Sequence, residues 1–182
     1  MVLAGPSGVG KGTVVRRLLE REPGLWFSVS ANTRAPRPTE RDGVDYLFLT
    51  RAEFEELRDG DGFLEWFDVY GDLKGTPRAP VEEHLAAGDD VLLEIDVQGA
   101  LKVREQVPEA VLVFLKAPSS EEQRRRIAAR GDADPDDVER RLEAAAQEEA
   151  SAEAFDHVVV NDDVDAAVAE VAGILAARRA SG

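Results

Sequence analysis

The sequence predicts an α/β domain built on a parallel sheet with helices on both faces, and three observations carry that reading. Short runs dominated by apolar residues, many of them β-branched, recur at residues 1–4, 91–97, 110–115 and 157–160. Other segments space their apolar residues at helical intervals, as with Val14, Val15, Leu18 and Leu19 in TVVRRLLE. The two kinds alternate along the chain, which calls for crossover connections and a sheet covered on both sides.

In order, residues 1–4 form a first strand that looks clipped at its N-terminus, followed by a glycine-rich loop and a helix at residues 13–20. Residues 26–30 read as a strand. Residues 31–43, polar and rich in Pro and Arg, read as a loop that is neither helix nor strand. Thr50 and Glu53 spell a capping box for a short helix around residues 54–58, and FLEWFDVY at residues 63–70 reads as a strand. Thr76 and Pro77 start a helix that Gly88 ends. VLLEIDV, residues 91–97, is a buried parallel strand, and residues 110–115 form another. Ser119 and Glu122 offer a second capping box for a helix reaching residue 130. A break at residues 131–137 precedes a long helix to about residue 154, and residues 157–160 and 164–179 close the chain as strand and helix.

At 182 residues and 19.8 kDa the chain suits one domain with a substantial core. Its net charge of −15 opposes binding to nucleic acid or an anionic membrane, since such binding rests on neutralising phosphates with Lys and Arg. No apolar run approaches the ~20 residues that cross a bilayer. Without cysteine there is no disulfide, thiol nucleophile or thiolate metal site, and His84 and His157 stand isolated. The expectation is a soluble, cytoplasmic protein whose few cations are gathered where a small anion binds.

The stretch GPSGVGKGT supplies that place. Gly5, four residues, Gly10 and Lys11 match a phosphate-binding loop between a strand and a helix. Glycines let backbone N–H groups turn toward phosphate oxygens, the helix N-terminus adds its dipole, and Lys11 adds a full charge. Gly12 stands where a metal-assisting hydroxyl usually follows the lysine. Thr13 in its place and a metal held through waters are both open.

A second anion site is expected at residues 27–46, where Arg34, Arg37 and Arg41 precede Tyr46. Carboxylates at Glu65, Glu94 and Asp96 lie on or beside apolar strands, and the spacing of Glu94 and Asp96 puts them on one strand face. Buried carboxylates need donors. Guanine offers N1–H and an exocyclic amino group side by side, whereas adenine offers an acceptor at N1.

These residues, with SVSANTRAPRP, GVDY, FLEW, LLEIDVQGA and VVVNDD, resemble the guanylate kinase family over nearly the whole chain. The resemblance implies a three-layer P-loop kinase fold with a parallel core sheet, a small GMP-binding excursion and a helical lid. It implies one domain, with its core at about 1–30, 89–129 and 138–182, a GMP-binding region at about 31–88 and a lid at about 130–137. ATP and GMP are then the substrates, with Mg2+ on the ATP phosphates and direct metal ligands left open. By the same resemblance Gly5, Pro6, Ser7, Gly8, Val9, Gly10, Lys11, Gly12, Thr13 and Asn161 meet ATP. Ser30, Glu65, Thr76 and Asp96 read guanine, and Arg34, Arg37 and Tyr46 hold the GMP phosphate. Lys11, Arg34, Arg130 and Arg141 carry the catalytic charge.

The sequence departs from the family pattern at Lys74, where a second phosphate-binding tyrosine is usual, at Asn32 and at ARGDAD. Two rivals stand beside the enzyme: a non-catalytic module of the kind that binds phosphorylated peptides, and a kinase of another phosphorylated acceptor. The intact loop argues against the first, and the set Glu65, Thr76 and Asp96 against the second. Trp26 and Trp66 read as core, and Arg124, Arg125 and Arg126 as lying on and around a solvated helix face.

Overall fold

The structure, a computed structural model, describes residues 1–69, 71–129 and 135–181. Its elements begin with β1 (Val2–Ala4), α1 (Lys11–Arg21), β2 (Leu25–Phe27), β3 (Ala31–Asn32), β4 (Leu47–Phe48) and α2 (Arg51–Asp59). There follow β5 (Phe63–Val69), β6 (Asp72–Pro77), α3 (Arg78–Ala87), β7 (Asp90–Glu94), α4 (Val97–Gln106) and β8 (Leu112–Lys116). The chain continues through α5 (Ser120–Ala128), α6 (Pro135–Glu149), a 3-10 turn (Ala152–Ala154), β9 (His157–Val160) and α7 (Val164–Ser181).

β2, β7, β1, β8 and β9 lie side by side in that order, all parallel. Strand alternation sorts their side chains into two cores. Leu3, Leu92, Val113 and Leu115 face α1 and α7, meeting Val14, Leu18, Val171 and Leu175. Val2, Ala4, Leu93 and Phe114 face the other way, toward Val81 of α3 and Val97, Ala100 and Val103 of α4. The result is three layers, helix, sheet and helix. A second sheet, mixed in direction and ordered β4, β3, β6, β5, stands on the same chain between β2 and α3. α2 covers it through Phe54, fully buried with Ala31, Phe63 and Leu73 and stacked on Phe63 at 4.3 Å between ring centroids.

Several expectations need correction. The run VLLEIDV is not one strand: β7 stops at Glu94, and Asp96 N-caps α4 by accepting the Gly99 N–H at 2.7 Å. An N-cap leaves the pleat, so Glu94 and Asp96 do not share a strand face. α4, β4 and β6 are not among the elements expected from the sequence, and β3 falls within the expected loop of residues 31–43. Thr76 belongs to β6; Pro77 is the N-cap of α3 and Gly88, at φ 86°, ends it. At α2 both arms of the capping box form, whereas at α5 Ser119 accepts from the Glu122 N–H while the Glu122 carboxylate turns to Arg125 and Arg126. α6 starts at Pro135 and ends at Glu149, with the 3-10 turn taking up the expected remainder. Trp66 is not core: it is exposed, with the Arg58 guanidinium over its ring and the Lys102 ammonium 5.9 Å from its centroid.

Candidate active site

The loop between β1 and α1 turns on Gly8 and Gly10, at φ 84° and 92°. A side chain at Gly10 would also strike the Asn161 amide, its Cβ falling 2.6 Å from Nδ2. Other elements tie down the loop's carbonyls. Gln123 of α5 donates to the Ser7 oxygen at 2.7 Å, and Asn161, just after β9, donates to the Val9 oxygen at 2.8 Å. Arg126 reaches both the Val9 and the Asn161 oxygens, at 3.3 and 3.1 Å. Among the described residues, the backbone N–H groups of Gly8, Val9, Gly10, Lys11 and Gly12 donate to no protein acceptor. With carbonyls engaged behind and donors uncommitted in front at a helix start, the loop is built for phosphate oxygens.

Lys11 folds back over this loop, its ammonium donating to the Gly5 and Pro6 oxygens at 2.5 and 3.1 Å. Burial pushes its pKa down, Lys74 adds to that, and Glu94 opposes it most strongly. Glu94 also faces the Gly12 backbone: a Cβ there would lie 3.9 Å from its carboxylate. Glu148 of α6 sits in the same field. Burial raises its carboxyl, Lys11 opposes this, and Asp96 adds to the rise.

Across the cleft, Glu65 of β5 is buried and accepts from the Thr76 hydroxyl at 2.5 Å. Its other oxygen lies beside Asp96 over Gly99, where an added Cβ would stand 3.1 Å from Glu65 Oε2 and 3.2 Å from Asp96 Oδ1. Burial raises the Glu65 pKa and the Asp96 charge raises it further, while the Thr76 hydrogen bond, Lys74 and Lys102 pull it back. A buried carboxylate and a half-buried one thus face the same space, each with one oxygen already bonded and acceptor capacity left for further donors.

Ser30 is buried ahead of β3, its carbonyl accepting the Leu47 N–H. Arg34 follows the β3 edge, with its N–H held by the Asn32 side chain at 3.0 Å, which gives Asn32 a local role. The Arg34 guanidinium lies 5.1 Å from the centre of the half-buried Tyr46 ring. Both of its terminal nitrogens bond Glu40, each at 2.6 Å, and Glu40 also accepts the Arg37 N–H at 2.8 Å. Arg34 and that N–H hold the Glu40 pKa down at about 2. Arg37 is exposed, and Arg41 points outward beside Asp45. Thr13 is exposed on the first turn of α1, Arg141 is half-buried on α6, and Arg130 lies outside the described residues.

The structure thus brings Glu65, Thr76 and Asp96 to one wall and Gly5 to Lys11 with Asn161 to the other. It separates Glu94 from the carboxylate pair and assigns it to the loop side. Sequence reasoning missed Glu40, Gly99, Gln123, Arg126 and Glu148. Of the three arginines of α5, Arg126 is not simply solvated, because the buried Gln123 and Ile127 set a helix phase that turns it toward the loop.

A family model described as guanylate kinase matches residues 1–178. The chain belongs to the guanylate kinase family. Guanylate kinase of Thermus thermophilus is 55% identical over 178 residues, spanning 98% of this chain and 80% of the relative. That of Gloeobacter violaceus is 54% identical over 175 residues, spanning 96% and 85%. A crystal structure of guanylate kinase from Anaplasma phagocytophilum aligns with a TM-score of 0.81 at 38% identity, covering 97% of this chain and 84% of that one. As a guanylate kinase the chain is an enzyme, a nucleoside monophosphate kinase on the P-loop kinase fold.

Proposed function

We infer that ATP lies along the glycine loop and GMP against Tyr46, Glu65 and Asp96, so that their phosphates meet between the two walls. The reaction is ATP + GMP = ADP + GDP. A GMP phosphate oxygen bonds to the terminal phosphorus of ATP as the bond to the ADP oxygen breaks. The nucleophile is already anionic, so no side chain has to remove a proton, and catalysis reduces to alignment and stabilisation of charge. Lys11 and Arg34 are positioned for that, with Arg141 on α6 and Arg130 as the further cations.

The observation that carries the guanine assignment is the meeting of the Glu65 and Asp96 carboxylates over Gly99. Two adjacent acceptors suit the two adjacent donors of guanine and repel the N1 acceptor of adenine. Thr76 fixes one Glu65 oxygen and leaves the other for the base. Ser30 and Arg37 complete the acceptor side, and Asn161 lies behind the ATP loop.

Among the described residues no cluster of His, Cys, Asp or Glu forms a protein-only metal cage, which suits a cation bound chiefly by nucleotide phosphates. Mg2+ would fit this setting, and Glu94, which faces Gly12, would be the carboxylate available to help hold it. When bound it neutralises charge on the ATP phosphates. No helix among the described residues is long and apolar enough to cross a membrane. With the net charge of −15, we place the enzyme in the cytoplasm, acting on small molecules and not on nucleic acid. The test is Mg2+-dependent ADP formation with GMP, AMP, UMP or no acceptor. Turnover confined to GMP is expected, and equal rates with AMP would refute the role of the carboxylate pair.

A further inference from the structure

Among the described residues, Lys74 stands on the acceptor wall without a polar partner. It sits in β6 opposite Asn32 and Phe67, two residues before Thr76, so the two side chains share one strand face. Thr76 on that face meets Glu65, and Lys74 lines the same cleft with Glu65, Phe67, Ile95 and Asp96. Its ammonium lies 5.6 Å from the centre of the Tyr46 ring, the ring that also carries Arg34. Among the described residues it makes no hydrogen bond or ion pair. The other lysines all do: Lys11 to loop carbonyls, Lys102 to the Trp66 oxygen and Lys116 to Glu149.

In a chain with 37 acidic and 22 basic residues, a half-buried ammonium left without an anion is the exception. Arg34, its neighbour across Tyr46, is in the opposite condition, both terminal nitrogens being taken by Glu40. Of the two cations flanking Tyr46, an incoming phosphate therefore meets one that is available and one that must first be released.

We propose that Lys74 is the first anchor of the acceptor's phosphate, holding it beside Tyr46 while Arg34 exchanges Glu40 for the same anion. The inference rests on the acceptor site lying at Tyr46 and Glu65. It makes Lys74 a residue that discriminates a nucleoside monophosphate from the bare nucleoside, and Glu40 the internal competitor for Arg34.

The experiment compares GMP and guanosine binding by calorimetry in the wild type, Lys74→Met, Lys74→Arg and the double variant Lys74→Met with Glu40→Gln. Loss of a charge-assisted contact predicts GMP binding weaker by roughly tenfold or more in Lys74→Met. Guanosine and ATP binding stay unchanged, Lys74→Arg recovers most of the loss, and the double variant recovers part of it by freeing Arg34. GMP affinity within about twofold of wild type in Lys74→Met would overturn the proposal. So would an equal loss for guanosine, which would mark Lys74 as structural. Arg34→Ala serves as the control on the site itself: if it leaves GMP binding intact, the acceptor assignment fails, and if it weakens binding while Lys74→Met does not, only the anchor role fails.

Discussion

In the proposed site Glu65 has to be ionised to accept a guanine donor beside its Thr76 hydrogen bond, yet burial and the neighbouring Asp96 raise its pKa. As pH falls, Glu65 takes up a proton above the usual 4.5 and loses acceptor capacity, so the GMP KM should begin to rise in that weakly acidic range while ATP binding lags behind. Glu65→Gln should raise the GMP KM by roughly tenfold or more and remove its part of the pH dependence. A KM profile for the two enzymes between pH 4.5 and 8 decides it, and superimposable profiles would rule Glu65 out as the titrating group. Gly99 is the companion case. A methyl there would sit 3.1 and 3.2 Å from the two carboxylates, tighter than ordinary contact, so Gly99→Ala should spread the pair. The expected result is a GMP KM several-fold higher with kcat for saturating GMP reduced much less, read from steady-state kinetics.

Elements decide whether such residues arrive in place, and the second sheet depends on one short helix. α2 is fastened by its capping box and by Phe54, the fully buried side chain that it sends under β5 and β6. Phe54→Ala should cost about 3–5 kcal/mol. Because few apolar residues hold this sheet, the loss should appear first as faster amide exchange in β3, β5 and β6, with β1, β7 and β8 still protected. Uniform loss of protection across both sheets would show that they unfold as one unit. What the sequence made legible at this scale had strong local chemistry: the spacing from Gly5 to Lys11, the Thr50 and Glu53 box, and the alternating runs of the parallel sheet. What it hid depended on distant partners. Asp96 was visible as a carboxylate but not as an N-cap, since Val97, Gln98 and Gly99 carry no capping-box glutamate and no helical stripe. Glu40 carries no local signal in the sequence, because its role exists only once the chain folds Arg34 onto it. β6 carries Gly75 in mid-strand, where a weak strand former hides the element in the sequence, and it is glycine because a Cβ would fall 2.7 Å from the Glu65 carbonyl across the strand pair.

Charge is the property of the whole molecule that ties these scales together. The chain carries a net −15, yet Lys11, Lys74, Arg34 and Arg126 are placed at the cleft proposed to take the two anionic nucleotides. Two effects of salt should therefore run in opposite directions. Raising ionic strength from about 0.1 M to about 1 M shortens the screening length from about 10 Å to about 3 Å. Self-repulsion of the excess carboxylates weakens, which favours the compact state, and the attraction of the cleft for phosphates weakens as well. Surface pairs such as Arg51 with Glu55 and Arg125 with Glu122 lose strength too, but such exposed pairs contribute little to stability. The melting temperature of the free enzyme should rise with KCl while the KM values for GMP and ATP also rise. Differential scanning calorimetry and initial rates on the same samples test both halves. A melting temperature that falls with salt would mean that local ion pairs outweigh the net charge, and an unchanged KM would mean that the cleft binds its nucleotides through short contacts alone, with no contribution from the field of its gathered cations.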